Sequence, residues 1–163
     1  MKKAIFVFSF LLISFLGFGQ SFTSPFRIDE QGIILARKLA NALTNTDKKF
    51  LLSGDVATDV PGLYQKFFVF IHKGKRFSVY YQWQAGEPSL INDEFISVYV
   101  RKEGSDGPDD LQGYRDYHLN GSWDEHCTGI YRYWAETEES SYFDNEIQKE
   151  YLSAVREALS YFN

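Results

Sequence analysis

Between residues 49 and 134 apolar side chains recur at every second position, whereas on either side of that stretch they recur every three or four. A period of two sends alternate residues to opposite faces of a strand, and a period near 3.6 draws a stripe down one side of a helix. The switch restricts the chain to a helix, a run of strands and a second helix. The expected class is α+β: an antiparallel sheet of about five to six strands flanked by an N-terminal and a C-terminal helix.

In the first helix Ser24-Pro25 reads as a capping residue followed by proline at the first helical position. Ile28, Gly32, Leu35, Ala36, Leu39 and Leu43 form its inward stripe, with Arg37, Lys38 and Asn41 on the other side. Gly32 costs such a helix roughly 1 kcal/mol against alanine, or else admits a close neighbour. The last helix is expected from about Ser141, where Ser141-x-x-Asp144 resembles a capping box with Asp in place of the usual Glu. Its stripe is Ile147, Tyr151, Ala154, Val155, Ala158, Leu159 and Phe162.

Between the helices, residues 49–57 form a short strand, and Lys66–His72 and Lys75–Trp83 pair as a hairpin closed at Lys73-Gly74. Phe77, Val79, Tyr81 and Trp83 then face the core, while Arg76, Ser78, Tyr80 and Gln82 face the other way. In residues 94–101, Ile96, Val98 and Val100 oppose Phe95, Ser97, Tyr99 and Arg101. Asn120-Gly121 is the sharpest turn signal, since Asn-Gly accepts the two positive φ angles of a type I′ turn. A two-residue loop there would pair Leu119 with Ser122, Asp116 with Glu125 and Tyr114 with Cys127. The returning arm would continue through Trp134, with Gly129 as a bulge.

Residues 1–19 read as a secretory signal peptide: Lys2-Lys3, an apolar run from Ala4 to Leu16, and small residues in Gly17-Phe18-Gly19. The run falls short of the roughly 20 residues that span a bilayer, so no membrane anchor is expected after cleavage. Residues 20–163 then make one globular domain, exported to the periplasm or the medium, with the short basic start pointing to a bacterial source. Of 163 residues only one is Cys, so Cys127 has no internal disulfide partner and the fold rests on its apolar core. Cys127 is expected as a small buried apolar residue.

The formal charge of −5 argues against nucleic acid as a partner, because phosphate neutralisation needs a basic surface. No nucleotide, flavin or zinc motif occurs, and no cofactor is expected. The loop 103–110 lacks the ligand order of a calcium-binding EF-hand despite Asp106, Asp109 and Asp110. Two patches remain. With 3 Trp, 11 Tyr and 15 Phe the chain is rich in rings that stack on sugars and peptide side chains. Tyr80, Trp83, Tyr114, Tyr117, Trp123, Tyr133 and Trp134 are the candidate ligand-binding residues. The hairpin register above would also gather Asp116, His118 and Glu125 on one face, a donor set acceptable to zinc or manganese. A binding domain for a glycan, peptide or envelope protein is therefore the first expectation. A metal-assisted hydrolase centred on Asp116, His118 and Glu125 is one alternative; the other is an acidic inhibitor or immunity-like protein steered to a basic target.

Overall fold

The computed structural model describes residues 28–59, 61–84, 94–107, 110–117, 119–134 and 144–163. The expected export signal, the Ser24-Pro25 cap and Ser141 lie outside these. Helix α1 spans Glu30–Thr44, and helix α2 spans Asn145–Leu159. Each is opened by an aspartate: Asp29 Oδ1 accepts from the N–H of Gly32 at 2.9 Å, and Asp144 Oδ1 accepts from that of Glu146 at 2.7 Å. A carboxylate at this position satisfies an otherwise orphaned donor and favours the positive end of the helix dipole. The first helix thus begins at Glu30 rather than at Pro25, and Ile28, left ahead of it, is 72% exposed. Among the described residues no helix is long and apolar enough to cross a membrane.

Between the helices run β1 (Leu52–Val56), β2 (Leu63–His72), β3 (Lys75–Gln84), β4 (Phe95–Lys102), β5 (Gln112–Asp116), β6 (Glu125–Thr128) and β7 (Tyr131–Trp134). They form one seven-stranded sheet in sequence order, antiparallel throughout. The α+β class is as expected, with more strands than the five to six anticipated. Gly129 accounts for the difference: at φ 61° it turns the chain instead of bulging it, so the arm after residue 124 becomes two strands. The β2–β3 hairpin closes at Lys73-Gly74, both with positive φ (51° and 70°), which matches the right-handed twist of the strands it joins.

Both helices pack on the same face of the sheet. Phe68, Phe70, Phe77, Val79, Ile96, Val98 and Tyr114 project towards them and meet Ala36, Leu39 and Leu43 of α1 and Tyr151, Ala154, Val155 and Ala158 of α2. The chain end closes one side of this core, where Tyr161 stacks on Phe70 with ring centroids 4.5 Å apart.

The Asn120-Gly121 turn departs from expectation. Tyr117 and residues 119–124 belong to a wide loop, and the strands pair one position away from the two-residue register, Tyr114 opposite His126 and Arg115 opposite Glu125. Asp116 is the cause. Its carboxylate accepts from the N–H groups of Asn120 (2.9 Å) and Gly121 (2.8 Å), so the chain wraps round a buried acid. The wider loop also sends Leu119 (2% exposed) and Trp123 (0%) into the core, burial that a surface turn would forgo. Leu119 adopts φ 47° to reach it.

Candidate functional site

The sheet has a second face, to which neither helix packs. Across the register, Phe67, Tyr80, Ser97, Arg115 and Glu125 form one row on it, and Val69, Ser78, Tyr99, Gly113 and Cys127 form the next. Arg76 and Arg101 stand opposite each other beyond the second row. The rings are contiguous, Phe67 with Tyr80 at 6.3 Å and Tyr80 with Tyr99 at 6.0 Å, the latter edge to face.

Arg115 organises the middle of this face. Its Nε donates to Ser97 Oγ at 2.9 Å, one terminal nitrogen to Tyr117 Oη at 2.7 Å and to Glu125 Oε2 at 3.3 Å, and the other to Tyr99 Oη at 3.1 Å. The guanidinium carbon also lies 5.6 Å from the Phe95 ring centroid and 5.1 Å from that of Tyr117. Glu125, only 5% exposed, is held in addition by Arg132 at 3.4 Å. A buried carboxylate between two arginines and a tyrosine hydroxyl is satisfied and charge-compensated, so the region is rigid.

Beside Arg115 the face is hollowed. A depression of about 440 Å³ is lined by Gln65, Ser78, Tyr80, Tyr99, Leu111 and Arg115. A smaller one of about 200 Å³ lies between Arg76, Ser78, Tyr99, Arg101 and Leu111. Gly113 shapes both: a Cβ there would fall 2.5 Å from Tyr99 Cδ1 and from Cys127 Sγ, so the missing side chain is what lets the Tyr99 ring lie across β5. A third hollow, about 510 Å³, opens between α2 and the ends of β3 and β4. There Lys75 already pairs with Glu157 at 2.7 Å and Tyr114 donates to Glu150 at 3.2 Å.

The expected ligand-binding residues divide between the two faces. Tyr80 and Tyr117 lie on the one left uncovered by the two helices. Trp83 lies on the helix side, stacked with Tyr64 at 5.5 Å and Tyr81 at 5.2 Å. Tyr114 (5% exposed) and Trp123 (0%) are core residues and offer no surface to a ligand. Trp123 instead donates its indole N–H to the Asp144 carbonyl at 3.1 Å. Tyr133 and Trp134 belong to β7, opposite His126 and Glu125; their side chains lie outside the described residues. Arg76, Arg101, Gln65, Ser78 and Leu111 were not anticipated at the site. Alternation had put Arg76 and Ser78 on one face of β3, and Arg101 on one face of β4, but nothing in the 85–93 connection fixes how those strands align.

The metal set does not assemble as expected. The one-residue register shift places Asp116 on the helix side and Glu125 on the other, and His118 lies outside the described residues. Among the described residues no three His, Cys, Asp or Glu side chains converge as a cluster able to hold a metal. Asp116 serves the fold, accepting also from the Tyr151 hydroxyl at 3.1 Å. His126 stacks on Tyr114 at 5.1 Å, and its Nε2 lies 3.2 Å from Gln112 Oε1. Burial holds this imidazole below its ordinary pKa, which keeps it neutral.

Cys127 is buried, and burial, then the neighbouring Glu125, pushes its thiol above the ordinary range. A protonated thiol wedged against Gly113 is a packing group, not a nucleophile. Native protein should accordingly resist an aromatic disulfide reagent at pH 7.5, and one thiol should react promptly once guanidinium unfolds the chain. Prompt native labelling would contradict this placement.

No family model matches the chain, and neither the curated proteins nor the solved structures contain a match to it.

Proposed function

We propose that the chain is a small exported binding domain that meets its ligand on the uncovered face of the sheet, and that the ligand is a glycan. One observation carries this reading: the hollow of about 440 Å³, walled by Tyr80 and Tyr99 and edged by Gln65, Ser78 and Arg115, on the face away from both helices. Flat rings bordered by hydroxyl, amide and guanidinium groups suit a sugar, which has an apolar face and polar rims. Export rests on the tripartite pattern of residues 1–19, with cleavage before Gln20, and the same pattern points to a bacterial periplasm or medium.

A peptide or an envelope protein is the competing ligand. A peptide bound by strand addition needs a free sheet edge. The hollow instead lies over β2 to β5, where the backbone is already paired on both sides. The hydrolase reading needs Asp116 and Glu125 on one face, and the register between β5 and β6 favours the binding reading by setting these two on opposite faces. The inhibitor reading needs an acidic contact face, and this face is rich in arginine.

The test is ligand-observed NMR against a panel of oligosaccharides. At least one binder is expected, with Tyr80→Ala and Tyr99→Ala each lowering its affinity about tenfold or more while circular dichroism stays unchanged. A panel without a binder, or binders indifferent to both substitutions, would defeat the proposal.

A further inference from the structure

The arginines of the uncovered face are not equivalent. Arg115 already donates to four side-chain oxygens and pairs with Glu125. Arg76 and Arg101, directly opposite on β3 and β4, line one hollow together, and neither makes an ion pair among the described residues. The Nε–H of Arg101 is buried without a hydrogen-bond partner. Among the described residues neither Asp110 nor Glu103 forms an ion pair with them, and the Asp110 carboxylate accepts instead from the Ser105 hydroxyl.

Such a pair is costly when empty. Like charges directly across two strands repel, and a buried donor left unpaired has lost its water for nothing. An oxyanion between the guanidinium groups would reverse both terms, since two planar forks match a carboxylate well. We infer that Arg76 and Arg101 form a subsite for the carboxylate of an acidic saccharide. This rests on the reading of the uncovered face as a glycan surface and names the glycan's chemistry. The two hollows share Ser78, Tyr99 and Leu111 as a common wall. Each arginine lies two residues from Ser78 or Tyr99, roughly 7 Å along its strand, about the reach from a stacked sugar ring to a carboxylate on that ring or the next.

The experiment compares tetragalacturonate with its carboxyl-reduced tetramer and with tetraglutamate, at matched ionic strength. It follows the arginine Nε–Hε NMR signals of the whole protein. Tetragalacturonate should shift the Arg76 and Arg101 signals saturably and the reduced tetramer should not. Arg76→Gln and Arg101→Gln should each weaken binding about tenfold or more. In the absence of ligand, Arg76→Gln should also raise the melting temperature by roughly 1–4 °C in low salt, a gain that shrinks in high salt as the repulsion is screened. A role confined to structure would move the melt the other way.

Arginine signals that stay still, or that move equally with sodium chloride, overturn the subsite. So does tetraglutamate binding as tightly as tetragalacturonate, which would identify a generic anion patch. If the reduced tetramer binds as tightly as tetragalacturonate and Arg76→Gln weakens neither, the glycan face stands without this subsite. If the arginine substitutions abolish tetragalacturonate binding while Tyr80→Ala and Tyr99→Ala do not, the subsite stands and the aromatic face falls.

Discussion

Gly121→Ala is expected to cost the fold at least about 4 kcal/mol in urea unfolding, more than an ordinary overpacked site, because backbone strain and a backbone clash coincide. Gly121 has φ +85°, and a Cβ built on it would lie 2.1 Å from the Asp29 carbonyl oxygen and 2.3 Å from the Ile33 nitrogen. These are backbone atoms at the start of α1 and cannot turn aside. Relief would require lifting the 117–124 loop off the helix. That would break the bond from the Asp29 N–H to the Asn120 carbonyl (3.0 Å) and the one from Gln148 Nε2 to the Gly121 carbonyl (2.9 Å). The opposing residue makes the same point with an inverted sign. Glycine to alanine inside a helix ordinarily gains about 1 kcal/mol, yet Gly32→Ala should destabilise, since its Cβ would sit 2.0 Å from the Gly121 oxygen. Gly74→Ala is the internal control: φ is also positive at +70°, but nothing lies within 4 Å of a new Cβ, so only conformational strain of about 1 kcal/mol is expected. Equal losses at Gly74 and Gly121 would mean that the contact between loop and helix contributes nothing.

This contact marks the boundary of what the residues disclose on their own. The stripes of both helices, the faces of β3 and β4 and the Lys73-Gly74 hairpin are local patterns, and local chemistry decides them. The expectation that Gly32 either weakens its helix or receives a close neighbour is settled by Gly121, 89 positions away in sequence, which no periodicity could identify. At Asn120-Gly121 the local signal misled. Asn-Gly favours a two-residue turn, but a buried carboxylate four residues earlier and two large apolar side chains, Leu119 and Trp123, gain more by widening it. One position of slippage then sends alternate side chains to the opposite face and separates Asp116 from Glu125. The candidate site suffered in the same way. Tyr80 and Tyr117 are placed by alternation, whereas the Arg76–Arg101 pairing depends on the β3–β4 register, for which no turn residue gives a rule.

Asp116→Ala should be comparably severe. The carboxylate is fully buried and accepts from two backbone N–H groups and the Tyr151 hydroxyl. Removing it strands three buried donors, each worth about 1–3 kcal/mol, so a loss of roughly 4 kcal/mol or more is expected in urea unfolding. A loss under about 1 kcal/mol would mean that the loop finds other partners and that Asp116 does not organise it. Asp116→Asn keeps the shape and removes the titration, which isolates a pH signature. Burial, then the nearby Asp124, raises the Asp116 pKa to about 7, against the lowering effect of its hydrogen bonds. In the unfolded chain the same carboxyl ionises near 4. Between these values the folded state binds more proton than the unfolded one, so the Asp116 contribution is present in full below about pH 4 and is lost as pH rises through 7. The stability of the protein relative to Asp116→Asn should therefore fall from pH 4 to 7, by at most about 1.4 kcal/mol per pH unit. Taking the difference also cancels His126, whose depressed pKa acts oppositely, removing stability as pH drops below its ordinary 6.5. A difference that rises with pH would show that the two backbone donors and Tyr151 outweigh burial and keep the carboxylate charged.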